Sequence, residues 1–179
     1  MLSLPKFTSL LTLIVRVIMS SKLANSLLLV GLVGSLNAYA GCIPIQGMVR
    51  TQSVNAQEQV GKIRISSDSP VFKSLFGQDE IEGGVHGTID SQTTVITLHH
   101  EIGFSGVGSF TTTGDQAIIT GAPDSLGNYP VTESVKVNQM NSPYNGAFYG
   151  LTLQKVVAKG VVNFTTGTNV FKLTGSLCQ

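Results

Sequence analysis

The sequence predicts an all-β fold: a small antiparallel meander β-barrel of about eight strands with one short helix, preceded by a cleaved signal peptide. Three observations predict it. The chain beyond residue 40 is rich in Gly, Thr and Val and holds no Trp. β-Branched residues pack well on pleated surfaces, and frequent glycines mark turns and bulges. Apolar and polar residues alternate with period two through most of that stretch, the spacing of a half-buried strand. Two cysteines, Cys42 and Cys178, stand near its two ends.

The first element is the leader, residues 1–40. It carries Lys6, Arg16 and Lys22 and no acid, two apolar stretches at Leu10–Ile18 and Leu27–Leu36, and then Ala38-Tyr39-Ala40. A basic region, an apolar run and an Ala-x-Ala end are the parts of a secretory signal peptide, with cleavage expected after Ala40. From Met19 onward the signal is complete by itself, so the true start is read as Met19 rather than Met1. An uncleaved anchor is the alternative, but neither apolar run has the roughly 18–20 residues that a spanning helix needs.

Cleavage would leave residues 41–179 as one domain. Eleven Lys+Arg less the three in the leader leave eight against ten Asp+Glu, a formal charge of −2. No basic run points to nucleic acid and no acidic run to a polycationic partner. In an oxidising compartment Cys42 and Cys178 most simply form a disulfide. The rival reading lipidates Cys42 as a bacterial lipoprotein. That signal wants an aliphatic residue where Tyr39 stands, and it would leave Cys178 without a mate.

Along the domain, Gln59–Ser66 alternates with Gly61, Ile63 and Ile65 on one face and Lys62 and Arg64 on the other. Ser69-Pro70 can cap and start a helical turn, Val71–Phe76 supply its apolar face, and Gly77 stops it. Strands at Gly84–Asp90 and Thr93–Ile102 are expected to pair through a two-residue turn at Ser91-Gln92, with Val85 opposite Leu98. That register gathers the apolar side chains on one face. Further strands are expected at Phe104–Thr113, Gln116–Gly121, Tyr129–Asn138, Gly146–Gln154, Val156–Phe164 and Asn169–Leu177. Phe110–Gly121 aligns without gaps on Phe164–Gly175, which reads as one strand–turn–strand recipe used twice.

The segment Gly146-Ala-Phe-Tyr-Gly-Leu-Thr, then Ala158-Lys-Gly-Val-Val-Asn-Phe164 and Phe171-Lys-Leu-Thr-Gly175, resembles the C-terminal half of small exported bacterial β-barrels related to the allene oxide cyclase and dirigent-like barrels. The resemblance covers roughly Phe104–Cys178. It departs at Gly121-Ala-Pro-Asp-Ser-Leu-Gly127, where that group commonly carries a Gly-Gly-Thr-Gly turn. It implies the barrel architecture and an isomerase or cyclase activity.

No Gly-x-Ser-x-Gly, His-Glu-x-x-His, phosphate loop or zinc-spaced cysteine pair is present, and no motif asks for a cofactor. His99 and His100 are neighbours on a strand and point to opposite faces, so they do not grip one ion together. His86 and His99 share the outer face and lack a third ligand, so no metal site is assigned. His100 and Glu133 break the pattern more informatively, since each is in phase with apolar residues. A carboxylate inside a barrel is costly unless paired, hydrogen-bonded or protonated. Glu133, His100 and Tyr149, the last in phase with Leu151 and Leu153, are the candidate site residues. The plainer alternative puts Glu133 at the rim, in water. Three function classes follow: a binder of a small apolar ligand or of a partner, an isomerase or cyclase using Glu133, and a structural or adhesive envelope component.

Overall fold

The computed structural model describes residues 41–92, 95–141 and 147–179. The leader, its cleavage site and the choice between Met1 and Met19 lie outside the described residues, as does most of the loop from Asn141 to Gly146. The chain from Gly41 onward is all-β with one short helix. Its elements are β1 (Cys42–Ser53), β2 (Glu58–Ser66), α1 (Pro70–Phe76), β3 (Glu80–Gln92), β4 (Ile96–Phe104), β5 (Gly108–Ile119), β6 (Asn128–Ser134), β7 (Val137–Asn141), β8 (Thr152–Asn163) and β9 (Thr168–Cys178).

The strands pair in the order β4-β3-β2-β1-β9-β8-β6-β5, and β5 pairs back to β4, which closes the ring. Every pairing is antiparallel. β6 pairs with the C-terminal part of β5 and β7 with its N-terminal part. The two are one bent stave, so the barrel has eight. Closure removes the open edges that would otherwise template aggregation.

β1 was not among the expected strands. Its inward residues include Gly47, an ideal Cβ on which would sit 2.3 Å from the Arg64 carbonyl oxygen. The apolar alternation is therefore broken where the backbones come closest. β1 lies beside β9 and sets Cys42 directly across from Cys178. Their sulfurs are bonded at 2.08 Å. A sulfur in a disulfide cannot also carry a lipid thioether, which removes the lipoprotein reading of Cys42 for this form of the chain.

One end of the barrel is filled by an aromatic and aliphatic core. Ser69 accepts from the Val71 N–H and Gly77 closes α1 at φ 73°, as its cap residues require. The helix places Phe72 and Phe76 against each other at 4.5 Å, and Phe76 meets Phe148 at 5.5 Å. Phe104 continues the stack onto Phe148 at 5.6 Å and Phe110 at 6.2 Å. Ile45, Ile65, Ile81 and Leu177 complete this core. Fully burying one such side chain is worth about 1.5–3 kcal/mol. A second cluster, Leu98, Ala117, Val131, Ala158 and Phe171, lies toward the opposite end.

Four expectations are corrected. The β3–β4 hairpin does not turn at Ser91-Gln92: β3 runs on to Gln92, and Val85 pairs with Ile102 rather than Leu98. The displacement is an even number of residues, so the same side chains stay inside, and the alternation cannot tell the two registers apart. Gly114-Asp115 is not a turn either. β5 passes straight through, with Gly114 at φ 70° as an extra residue opposite the Leu98–His99 step. Phe110–Gly121 and Phe164–Gly175 are thus built differently: the first is a bulged strand, and the second turns at Gly167. Lastly, the two strands expected over 146–164 are one. β8 carries an irregularity between Gln154 and Val157, with Lys155 at φ 53°.

Candidate functional site

The site is built from three neighbouring staves. β4 supplies His100, β5 supplies Thr112 and Asp115, and the β6–β7 stave supplies Glu133 and the Lys136 backbone N–H. On β5, Phe110 and Thr112 point inward. The Gly114 bulge then reverses the phase, so Asp115 and Ala117 point inward as well. Asp115 is wholly buried, and His100 and Glu133 are nearly so.

Asp115 accepts three hydrogen bonds. Its Oδ1 takes the Lys136 N–H at 2.5 Å. Its Oδ2 takes His100 Nδ1–H at 2.8 Å and the Thr112 hydroxyl. Thr112 Oγ1 in turn accepts the His100 backbone N–H at 2.9 Å. The Lys136 N–H stands at the break between β6 and β7, so Asp115 supplies an acceptor that the interrupted ladder lacks. The same carboxylate fixes the imidazole: with Nδ1 donating, Nε2 is the ring's other functional edge.

Glu133 is different. Its Oε1 faces His100 Nδ1 at 3.7 Å, which is beyond hydrogen-bond length. Burial pushes its carboxyl above the usual range; the His100 charge opposes that rise and the Asp115 charge adds to it. For His100, burial by itself favours the neutral ring. The hydrogen bond to Asp115 and the charges of Glu133 and Asp115 outweigh it and hold the imidazole above its usual value.

Two cavities meet at Glu133. A small one of about 40 Å³ lies inside the barrel, bordered by His100, Gln59, Thr51 and Phe110 among others. The larger, about 530 Å³, occupies the end opposite α1 and has Glu133 at its inner limit. Its walls are Ile89, Ile96, Leu98, Ala117, Val131, Val162 and Phe171. Its rim comes from the β1–β2 and β8–β9 connections, including Asn55, Glu58 and Phe164. One wall carries a polar knot: Thr51 donates to Gln59 Oε1 at 2.6 Å, and Asn169 Nδ2 donates to the same oxygen at 2.9 Å.

The structure thus brings His100 and Glu133 together inside the barrel, and the rim alternative for Glu133 does not describe it. Tyr149 does not join them. It sits on a turn at 147–150 and is 61% exposed, because β8 begins only at Thr152. His86 is exposed on the outer face, and His99 is outward too, with Nε2 3.9 Å from Glu101. Asp115 and Thr112 were missed. The signal for them was a change of phase across Gly114, read instead as a turn.

Among the described residues, His100, Asp115 and Glu133 are a group that could offer one ligand atom each to a metal ion, all within 4.8 Å of one another. An ion there would displace the His100–Asp115 hydrogen bond and crowd an oxygen that Thr112 already fills. The arrangement as it stands is a hydrogen-bonded cluster: an oriented imidazole, a carboxylate behind it that accepts three hydrogen bonds, and a second carboxyl facing a cavity. Comparison with protein-family models, curated proteins and solved structures finds no match to this chain.

Proposed function

We propose that the barrel binds a small, largely apolar molecule in its open end, with Glu133 as the polar anchor at the floor. The observation that carries this is the placement of the Glu133 carboxyl, 3.7 Å from its His100 neighbour, at the bottom of a cavity of about 530 Å³ whose walls include Leu98, Val131, Val162 and Phe171 and whose rim is polar. Ligand sites are typically concavities of roughly 300–1,000 Å³ with apolar walls and a few placed polar groups. A barrel filled with side chains from end to end would have favoured a structural or adhesive role. The disulfide and the leader together support work in an oxidising compartment outside the cytoplasm, periplasmic or extracellular.

The test is native mass spectrometry of protein purified from its own host, beside a Val162→Trp variant that narrows the mouth. A co-purifying small molecule, lost from the variant, is the expected result. Wild-type protein with nothing bound, and with no saturable uptake of an apolar fluorophore, would overturn the reading.

A second reading is favoured by one observation, the Asp115-oriented His100 beside Glu133. Such a pair can hold and return a proton next to a bound molecule, as an isomerase or cyclase requires. This is the activity that the resemblance to allene oxide cyclase and dirigent-like barrels implies. Its test is turnover of whatever ligand co-purifies, abolished in Glu133→Gln with binding retained.

A further inference from the structure

The charge lining the open end has a sign. Among the described residues, two ionisable side chains border that cavity, Glu58 at the rim and Glu133 at the floor, and no Lys, Arg or His does. Glu58 Oε2 is held by the Asn55 side-chain amide at 2.9 Å, so this rim carboxylate is fixed in place. The amide groups on the wall are partly spent on one another, since Gln59 Oε1 already accepts from both Thr51 and Asn169. The floor carboxyl stands 3.7 Å from His100 Nδ1, beyond hydrogen-bond length. From the far side it is faced by His100 and, behind it, Asp115.

With His100 charged, the His100–Asp115 pair is neutral, so ionising Glu133 leaves the interior one negative charge in excess. An entering cation would meet Glu58 first and then that unbalanced charge, in a cleft whose apolar walls strengthen the field. An ammonium brings three N–H donors to a carboxyl whose His100 neighbour is beyond hydrogen-bond length, together with the counter-charge that burial makes valuable. A hydroxyl brings one donor and no charge. A carboxylate brings a like charge past both glutamates.

We propose that the open end selects a compact apolar amine, its ammonium seated on Glu133 and its body against Leu98, Val131, Val162 and Phe171. This rests on the binding reading above and names the ligand class for it. Burial that raises Glu133 predicts that the ammonium must draw the carboxyl into its ionised form, so affinity should strengthen as pH rises through that titration.

The experiment is a fluorescence titration with three probes of one shape: naphthylethylamine, naphthylethanol and naphthylacetic acid. The full disulfide-bonded domain is used, in wild type, Glu133→Gln and Glu58→Gln. Wild type should prefer the amine over the alcohol by about tenfold or more and bind the acid most weakly. Glu133→Gln should erase the amine's advantage while alcohol binding stays within about threefold. Glu58 is exposed, so Glu58→Gln should fold normally; it should weaken the amine alone, and more at low salt. Equal binding of all three probes, or preference for the acid, would overturn the amine proposal and leave the pocket reading standing. No binding of any probe would overturn both. If Glu133→Gln does not fold, the order of the three probes on wild type and on Glu58→Gln still decides.

Discussion

His100 donates through Nδ1 to Asp115 across 2.8 Å, and that bond ties two adjacent staves at the point where a bulge interrupts their ladder. Removing Asp115 takes the acceptor from three donors together, the imidazole, the Thr112 hydroxyl and the Lys136 N–H, and leaves the imidazole only the Thr112 oxygen at 3.2 Å. Losing one partner of a buried pair costs about 3–5 kcal/mol. Asp115→Ala should therefore lower unfolding free energy in urea by about that much. Asp115→Asn should cost less, and it should move the His100 titration, followed by NMR, downward. A cost under about 1 kcal/mol for the alanine would mean that the cluster does not hold the staves together.

The pH dependence of stability follows from the same cluster. Glu133 and His100 both have folded-state values raised above their ordinary ones of 4.5 and 6.5. The folded state then holds more protons than the unfolded one, so the stability that each contributes is complete below its ordinary value and is lost as pH rises through its raised one. Glu82 and Asp124 are exposed and shifted the other way, from 4.5 and 3.8, so their contributions are complete at and above those values. Above pH 5 the unfolding free energy should fall as pH increases, by at most about 1.4 kcal/mol per pH unit for each group in transition, and the melting temperature should fall with it. Glu133→Gln should flatten the lower part of that descent and stabilise the protein at neutral pH. A wild-type profile that rises from pH 5 to pH 8 would contradict the assignment.

The Cys42–Cys178 bond closes a loop spanning a sequence separation of 136. In the chain-entropy picture such a link is worth about 4–5 kcal/mol, acting on the unfolded chain. The Cys42→Ser/Cys178→Ser double variant should keep the β-sheet circular dichroism spectrum and lose up to that amount in urea. Adding reductant should shift wild type in the same direction and leave the variant unmoved.

Gly87 gives the His100 ring its room. A Cβ there would stand 2.9 Å from His100 Cδ2 and equally close to Gln59 Cγ and Nε2. Gly87→Ala should destabilise by about 1–3 kcal/mol, the usual cost of overpacking, and should displace the His100 ring resonances. Gly84, on the same strand, faces open space and serves as the control: Gly84→Ala should stay within about 0.5 kcal/mol of wild type.

By itself the sequence determined the β class, the capped helix at Pro70–Phe76, and the inward phase of His100 and Glu133, because alternation and cap chemistry are local. It also brought Cys42 and Cys178 forward as a pair, through their positions near the two ends of the domain. The tertiary structure alone decided how the staves pair, since an even shift of register leaves the alternation unchanged. It alone turned Gly114 from a turn into a bulge, because only pairing to β4 shows that the strand continues. That bulge swings Asp115 inward beside His100, and the pairing of β6 with β5 sets Glu133 opposite Ala117, beside the same point. Three residues separated by 15 and 18 positions become one cluster through the register of two strand pairings and a single extra residue, neither of which leaves a periodic trace in the chain.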